Sequence, residues 1–388
     1  MPFPRSTRRR LWIPGLVALL LAAALALDAS LDAYGVPTGS MEPLLHGDRS
    51  TGDRVLVRRV AGLGPSLRRF DLAVFRSPDG VHCVKRLCGL PNESLQILDG
   101  DLYVRGVLYR KDERERAGVR VPLFDPDRSS IEAFWGPADG AWEREGGGWI
   151  LDARKEGLVL LRNREAIKDD YLDPDGRRVA GRSEVRDLTL EADWTPLAEG
   201  GEFRIELSGG GGRFVFSLER RPDRCLARVA RPGRAGEEVL SRGETAPVPA
   251  GVRVRLEAVN VDRRLSFLVE GRPAVPAVDY EGSSAGPSSG AAVGAVADGD
   301  GTGAGAALGG AGLRARLDRV RLLRDLHYTD RGRFGIRRPV ELGPDQFFFL
   351  GDNSGESLDC REWGPVEGGA LLGRPVLILW PPRRIRWL

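Results

Sequence analysis

Apolar and polar residues alternate with a period of two across much of the second half of the chain. The pattern recurs in five short segments, residues 188–194, 202–207, 213–218, 252–258 and 264–269. Successive side chains of a β-strand point to opposite faces, so this period predicts antiparallel strands with one buried and one solvated face. Several such strands at short spacing are typical of a β-sandwich. We therefore expect a β-sandwich over residues 184–325.

Within this predicted sandwich, residues 281–312 are rich in Gly, Ala and Ser and show no period. Such a composition lacks the apolar side chains that anchor a segment to a core, so a flexible loop is expected there. The alternation returns over residues 316–323, which we expect to close the sandwich. Deletion of most of the Gly-rich segment, residues 283–312, is expected to be tolerated.

The region before the sandwich also has a β pattern, in short strand-like runs between residues 33 and 110. Asp99-Gly100 stands between two such runs and is a strong hairpin signal. Residues 112–183 are charged and poorly periodic, and we interpret them as a connection. A buried strand at 346–350 indicates that the first domain resumes after the sandwich. The chain is thus predicted to be mainly β, with one discontinuous domain (residues 28–111 and 326–388) that carries an inserted sandwich.

Residues 11–27 form an uncharged apolar run, which follows a basic segment at residues 1–10. Its 17 residues are at the short end for a transmembrane helix. The upstream arginines favour an N-terminus in the cytoplasm and the remainder of the chain across the membrane. A cleavable signal peptide is the alternative, since Ala24-Leu25-Ala26 resembles a small-x-small cleavage site. We favour a retained anchor.

Composition excludes several functional classes. The 58 basic and 55 acidic residues give a net charge of only +3, which does not point to nucleic acid. With three His and no Cys pair at metal-ligand spacing, we predict no metal site and no cofactor. Cys83 and Cys88 either form a disulfide or remain free buried thiols. Lysine is much less frequent than arginine in this sequence. The four lysines are Lys85, Lys111, Lys155 and Lys168.

A serine and one of these lysines form the candidate chemistry. Ser40 lies in a turn, Gly39-Ser40-Met41-Glu42-Pro43, soon after the apolar run, and Lys85 lies in a strand-like segment, residues 81–87. A lysine that is desolvated to a lowered pKa can take the proton of a serine hydroxyl, so the pair can carry out acyl transfer without histidine. The structural alternatives are an ordinary turn serine and a lysine that protects a sheet edge.

Four sequence boxes, in order behind the apolar run, resemble those of the type I signal peptidases, which use a Ser/Lys dyad. The boxes are Gly39-Ser40-Met41-x-Pro43, residues 52–57, residues 69–91 with Lys85-Arg86-Leu87, and residues 351–361 with Gly351-Asp352-Asn353 and Ser357-x-Asp359-Cys360-Arg361. Residues 112–335 lie outside the resemblance. The chain departs from the family at Cys360, where serine is common, and at Ser354-Gly355-Glu356, where an Arg/Asp/Asn-rich run is common.

The resemblance implies a signal-peptidase-like β catalytic domain with one N-terminal transmembrane helix. The sandwich is inserted into this catalytic domain. Its hairpin at residues 269–273 is similar to the final hairpin of a concanavalin-like jelly roll. The resemblance implies that Ser40 is the nucleophile and Lys85 the general base. It further implies that Thr38 donates to the oxyanion and that Ser357 orients the Lys85 amine by a hydrogen bond. The implied supporting residues are Asp352, Asp359 and Arg361. The implied wall of the substrate pocket is Tyr34, Val36, Pro37, Met41, Leu45 and Val84.

The function implied is that of a membrane-bound serine endopeptidase that removes signal peptides from exported preproteins. Its implied place is the cytoplasmic membrane of a bacterium, in contact with membrane lipid, with the catalytic domain on the outer side. A repressor-type autoprotease shares this chemistry but would need a DNA-binding N-terminus instead of an apolar run. The alternative from another class is a membrane-tethered binding module with a degenerate peptidase domain. The sequence names no partner for the inserted sandwich.

Overall fold

A computed structural model of the chain describes residues 31–59, 67–129, 134–136, 140–209, 212–233, 236–281 and 304–388. These residues fall into two compact units. The discontinuous unit contains the described residues up to Gln96 together with Arg331–Leu388, and the inserted unit is Ile97–Asp330. An insertion into a discontinuous domain is therefore observed, but its boundaries differ from the predicted 111/112 and 325/326.

The two units are built mainly from β-strands, as predicted. In chain order the strands are β1 (Leu31–Gly35), β2 (Arg54–Arg59), β3 (Leu72–Arg76), β4 (His82–Gly89), β5 (Ser94–Leu98), β6 (Asp101–Val104), β7 (Val107–Leu108), β8 (Val121–Phe124), β9 (Trp142–Glu145), β10 (Gly148–Asp152), β11 (Val159–Arg162), β12 (Tyr171–Leu172), β13 (Arg178–Val179), β14 (Leu188–Pro196), β15 (Glu202–Gly209), β16 (Gly212–Arg220), β17 (Cys225–Gly233), β18 (Gly236–Thr245), β19 (Val254–Val261), β20 (Arg264–Val269), β21 (Arg272–Pro273), β22 (Val278–Asp279), β23 (Gly305–Ala311), β24 (Arg314–Arg324), β25 (Val340–Glu341), β26 (Gln346–Leu350), β27 (Val366–Glu367), β28 (Leu371–Trp380) and β29 (Arg386–Trp387).

Among the described residues, α1 (Glu113–Val119) lies in the inserted unit and α2 (Cys360–Trp363) in the discontinuous unit. Within the described ranges, no helix is long and apolar enough to span a membrane. The predicted anchor, residues 11–27, and the basic segment before it lie outside the described residues.

The discontinuous unit is organised around one antiparallel sheet in the order β1-β2-β28-β3-β4-β26-β27, and β29 pairs with β28. Strands from both halves of the sequence alternate in this order, because β28 lies between β2 and β3, and β26 pairs with β4. A stacked pair, Phe75 and Phe349, joins the two halves with ring centroids 4.6 Å apart. The sheet therefore brings the serine and lysine segments together with residues more than 250 positions later.

The inserted unit is a β-sandwich. One sheet has the order β21-β20-β19-β14-β24-β10-β9, with β22 on β20 and β8 on β24, and the other has the order β11-β23-β15-β16-β17-β18. Both sheets contribute to a single hydrophobic core. Trp194 of β14 and Phe203 of β15 stack across it with ring centroids 5.5 Å apart. The two-layer architecture follows from the period-two alternation, whereas the concanavalin-like jelly-roll topology stays a prediction.

The interpretation of residues 112–183 as a connection is wrong. β8, β9 and β10 belong to one sheet of the sandwich, and β11 pairs with β23 in the other. Gly148–Asp152 explains the error, because four consecutive residues of this strand are buried and no alternation results. A strand covered on both faces gives no period-two signal.

The predicted flexible loop at 281–312 is also wrong at its C-terminal end. Residues 282–303 lie outside the described residues, but Gly305–Ala311 form β23, which pairs with both β11 and β15. Its small residues are required by close packing: a Cβ on Gly309 would lie 1.9 Å from the carbonyl oxygen of Val159. Glycine here marks a close approach of two backbones.

Candidate active site

Ser40 and Lys85 meet inside the discontinuous unit. Ser40 lies in a 3-10 turn, Gly39–Met41, that follows β1, and Lys85 is in β4, opposite Ala73 of β3. The Lys85 Nζ atom lies 2.5 Å from the Ser40 Oγ atom. This is hydrogen-bond distance, so the proton of the serine hydroxyl can pass to the lysine amine directly.

The environment of Lys85 favours its neutral form. The residue is only 4% exposed, and no carboxylate of the described residues forms an ion pair with it. Burial lowers the pKa of Lys85, while the more distant charges of Asp359 and Asp352 act in the opposite direction without reversing the shift. The site therefore has the electrostatic character required of a lysine general base.

Thr38 lies beside Ser40. Its Oγ1 atom donates to Ser40 Oγ at 3.4 Å, and the residue is exposed. The predicted oxyanion donor is thus close enough to the serine to contact a carbonyl oxygen bound there.

The segment after β26 holds the serine turn in place. The backbone N–H of Asn353 donates to Ser40 O at 3.1 Å, and its Nδ2 donates to Gly39 O at 3.0 Å. Gly351 allows this close approach, because a Cβ there would lie 2.5 Å from Ser40 O and 2.1 Å from Ser357 Oγ. Asn353 was within the predicted motif, but its side-chain contact with the serine turn was not predicted.

The predicted hydrogen bond between Ser357 and Lys85 is not formed. The Ser357 Oγ atom is buried, and its polar neighbour is the Asp359 carboxylate, whose pKa it helps to lower. Ser357 is nevertheless close to the serine turn, as the contacts around Gly351 show. Ser357 ends a 3-10 turn, Ser354–Glu356, and has an extended backbone.

Asp359 and Arg361 form the expected ion pair, with Nη2 2.8 Å from Oδ2, and both are almost fully buried. Burial raises the pKa of Asp359, but the hydrogen bond and charge of Arg361 outweigh it and hold the pKa below its usual value. Asp359 also accepts from the N–H of Gly351 at 3.0 Å. Arg361 donates to Ser354 Oγ at 2.6 Å and to Ser354 O at 2.8 Å. Ser354, in the run that departs from the family pattern, is thus a supporting residue that the sequence did not reveal.

Asp352 pairs with a different arginine. Arg86, the neighbour of Lys85 in β4, donates from Nε and Nη2 to the two oxygens of Asp352 at 2.7 and 2.6 Å. Its Nη1 donates to Phe70 O at 2.8 Å. This bidentate pair fixes the segment after β26 to the strand that carries Lys85.

A third ion pair, which is partly buried, lies near the serine turn. Arg384 donates to Asp53 Oδ1 and Oδ2 at 2.7 and 2.8 Å. Asp53 also accepts from the N–H of His46 at 2.8 Å, and Arg386 donates to Leu44 O at 2.7 Å. Asp53 belongs to the predicted motif at residues 52–57, but its partner was not predicted.

The predicted wall residues divide into two groups. Val36, Met41 and Leu45 are buried in one hydrophobic cluster, against which the half-buried Tyr34 and Val84 pack. The remaining wall residue, Pro37, is exposed. A substrate can therefore contact Tyr34, Pro37 and Val84 directly, whereas the buried three shape the site from behind.

Cys83, Cys88, Cys225 and Cys360 are all free thiols. Cys83 and Cys88 are both in β4 and five residues apart, so their side chains leave opposite faces of the sheet. Cys360 Sγ instead accepts from the N–H of Phe349 at 3.1 Å. The departure from the family pattern at Cys360 therefore provides a thiol that accepts a backbone hydrogen bond from β26.

Comparison with known proteins supports the resemblance. The profile of the family described as "Signal peptidase, peptidase S26" matches residues 9–132 and 319–380. Over these two stretches the chain matches the signal peptidase family. Residues 133–318, which the signal peptidase profile leaves unmatched, fall within the inserted unit.

Two curated signal peptidases of Bacillus subtilis (strain 168) illustrate the relationship. Signal peptidase I V is 32% identical over 100 residues, which cover 26% of this chain and 56% of that protein. Signal peptidase I T is 31% identical over 118 residues, which cover 28% and 59%. The chain thus spans little more than half the length of these relatives.

Solved structures similar to this chain include a carbohydrate-binding module, CBM66, from Bacillus subtilis. It is 13% identical, with a TM-score of 0.33, and the match covers 50% of this chain and 98% of that one. A protein with a galectin-like fold from the same species is 12% identical, with a TM-score of 0.32, and the match covers 53% and 97%. These likenesses are too low to assign a ligand to the inserted unit.

Proposed function

We propose that this signal peptidase family member is a membrane-bound serine endopeptidase that removes N-terminal signal peptides from exported preproteins. The observation that supports it best is the 2.5 Å contact between Ser40 Oγ and Lys85 Nζ. A degenerate domain that only bound its partners would have no need to keep a buried lysine, without an ion-pair partner, against a serine hydroxyl.

In the first step, Ser40 Oγ attacks the carbonyl carbon of the scissile peptide bond, and its proton passes to the neutral amine of Lys85. The resulting oxyanion accepts hydrogen bonds from the Ser40 N–H and the Thr38 hydroxyl. Collapse of the tetrahedral intermediate breaks the C–N bond, and the Lys85 ammonium returns its proton to the leaving amine. The products of this step are the mature protein and an ester of Ser40 with the signal peptide.

In the second step, a water molecule attacks the ester while Lys85 again takes a proton. Collapse then frees Ser40 as the proton returns to its Oγ atom, and the signal peptide leaves as a carboxylic acid, which loses its remaining proton to solvent. The pairs Asp359–Arg361 and Asp352–Arg86 touch neither reacting group and act as positioning residues. Their contribution is to hold the serine turn and β4 in register.

The proposed substrates are preproteins with small residues before the scissile bond. Tyr34, Pro37 and Val84 offer an apolar surface of moderate size for them. The proposed location is the cytoplasmic membrane of a bacterium, with the apolar run at residues 11–27 as a single anchor, the N-terminus inside and the catalytic domain outside, next to lipid. This arrangement would place Ser40 where exported chains emerge.

The test is cleavage of a purified preprotein by the full chain in detergent. We expect Ser40→Ala and Lys85→Met each to lower kcat/KM at least about 10³-fold, because the two residues act as a unit. Lys155→Met, at an exposed lysine of the inserted unit, is the control and should leave cleavage unchanged. If the wild type cleaves the preprotein and Lys85→Met cleaves it equally well, the Ser/Lys dyad is refuted. A wild type that binds the preprotein without cleaving it would favour the degenerate binding module.

A further inference from the structure

The residue that follows the serine turn is a buried acid that the proposed mechanism does not use. Glu42, two positions after Ser40, is only 5% exposed. Its Oε1 atom accepts from the N–H of Gly47 at 3.0 Å and lies 2.7 Å from Nδ1 of His46. Glu42 therefore holds residues 46 and 47 next to the serine turn.

Gly47 lies directly against the peptide bond that joins Thr38 to Gly39. A Cβ on Gly47 would lie 1.8 Å from the carbonyl oxygen of Thr38 and 2.5 Å from the nitrogen of Gly39. Glycine is the residue that permits such a close approach of two backbones. Just before Thr38 in the chain, Val36 O accepts from the N–H of Asp48 at 3.1 Å. Residues 47 and 48 thus hold the backbone on both sides of Thr38.

Thr38 depends on this support because its side chain is exposed. Exposed side chains have little packing to lock their rotamers, so the position of this hydroxyl depends on the backbone that carries it. The proposed mechanism needs the hydroxyl to be preset near the oxyanion to within about 0.5 Å. Asn353 bonds the carbonyl oxygens of Gly39 and Ser40, so the next part of the turn has a separate support.

We propose that Glu42 is a positioning residue, which acts through Gly47 to hold the Thr38 hydroxyl where the oxyanion forms. This role rests on the proposed peptidase activity, because without it no oxyanion forms beside Thr38. The bonded Oε1 atom carries the role, and the charge of the carboxylate does not. Glu42→Gln keeps this oxygen and replaces only Oε2, which has no hydrogen-bond partner among the described residues.

The experiment measures kcat and KM for cleavage of a purified preprotein by the full chain in detergent. We expect Glu42→Ala to lower kcat about tenfold and to leave KM within about twofold, because the oxyanion forms only after the substrate has bound. Glu42→Gln should restore kcat to within about threefold of the wild type. The control, Glu367→Ala, removes an exposed carboxylate of the same unit and should cleave like the wild type. Equal losses in Glu42→Ala and Glu42→Gln, or no loss in either, would overturn the assignment.

A double variant tests the path from Glu42 to Thr38. Thr38→Val removes the hydroxyl, keeps the shape of the side chain and should lower kcat about 10²-fold. If Glu42 acts through this hydroxyl, the addition of Glu42→Ala to Thr38→Val should lower kcat by no more than about threefold further. A further loss of about tenfold, as for two independent residues, would refute the path.

Gly47→Ala gives a separate test that remains if Glu42→Ala fails to fold. Its Cβ must displace Thr38 O, so kcat should fall at least about tenfold with KM again nearly unchanged. The matched control is Gly369→Ala, whose Cβ meets no atom within 4 Å. A wild type that does not cleave the preprotein refutes the proposed function and the role of Glu42 with it. If the wild type cleaves and Thr38→Val is slow, but Glu42→Ala and Gly47→Ala are not, only the role of Glu42 is refuted.

Discussion

The two units each contain a buried lysine, and the two lysines have opposite electrostatic properties. Lys85 of the discontinuous unit contacts a serine hydroxyl, whereas Lys111 of the inserted unit contacts carboxylates. Burial lowers the pKa of Lys85, and the result is a lowered pKa overall. Burial also lowers the pKa of Lys111, but the charges of Asp325 and Asp262 outweigh it and raise the pKa well above its usual value.

The difference lies in the first neighbours and not in the depth of burial. A carboxylate at hydrogen-bond distance stabilises an ammonium, and a neutral hydroxyl does so much less. Asp359 and Asp352 affect Lys85 only at longer range, because each is already paired with an arginine, Arg361 and Arg86. The arginines of the site therefore keep carboxylates away from the lysine as well as fixing the loops. A buried lysine becomes a base when its nearby acids are engaged elsewhere.

The largest expected effect is on stability when each lysine is replaced by methionine. Lys111→Met leaves buried carboxylates without their ammonium, so we expect the free energy of unfolding to fall by about 3–5 kcal/mol. Lys85→Met removes an amine that has no carboxylate partner among the described residues, so its free energy of unfolding should stay within about 1 kcal/mol of the wild type. Urea denaturation of the two variants and the wild type in the same buffer measures both values. Equal destabilisation by both changes would contradict the comparison.

A smaller effect on the free energy of unfolding tests whether the inserted unit can be destabilised while the proposed cleavage activity is retained. In Gly309→Ala the new Cβ would lie 1.9 Å from Val159 O, so strands β11 and β23 must separate locally. We expect a loss of about 1–3 kcal/mol in the free energy of unfolding, with kcat/KM per folded molecule unchanged.

Gly157→Ala is the matched control for Gly309→Ala, because no atom lies within 4 Å of its Cβ. Its free energy of unfolding should stay within about 0.5 kcal/mol of the wild type. If Gly309→Ala behaved in the same way, β23 would not be the closely packed strand described above. Deletion of residues 283–312, which the sequence suggested would be tolerated, would remove this strand, and we now expect that deletion to unfold the unit.

Local patterns in the sequence predicted the features that depend on local chemistry. Asp99-Gly100 forms the predicted hairpin turn, with φ of 55° and 95° at the two residues, because Asp and Gly tolerate this conformation. Ser40 and Lys85 were identified from motifs in which a serine and a lysine together indicate acyl transfer. The alternation of residues 188–194 likewise reported one wet and one buried face of a strand.

Features that depend on contacts between distant segments were not predicted. Arg384 and Asp53 are 331 residues apart, and nothing near either residue identifies the other. The contacts of Lys111 with Asp262 and Asp325 likewise join residues that follow two different strands, β19 and β24. The position of Ser357 Oγ depends on the close approach of Gly351 to the serine turn, which a motif does not encode. Sequence motifs thus identified the proposed reacting groups, whereas their neighbours could be identified only in the three-dimensional structure.

The smallest expected effect is the pH dependence that follows from the lowered pKa of Lys85. Cleavage requires the neutral amine, so kcat/KM should rise with pH through the pKa of Lys85, which lies below the usual 10.5.

Between this pKa and the usual value, the unfolded chain binds a proton at Lys85 that the folded chain does not, so Lys85 makes stability rise with pH in this window. As pH falls, the wild type should therefore lose stability relative to Lys85→Met. The relative loss should become constant below the folded pKa. Urea denaturation of both proteins across the window, with Lys155→Met as the control at an exposed lysine, measures the slope. A difference that does not change with pH would mean that Lys85 keeps an ordinary pKa, and the contrast with Lys111 would then be one of contacts alone.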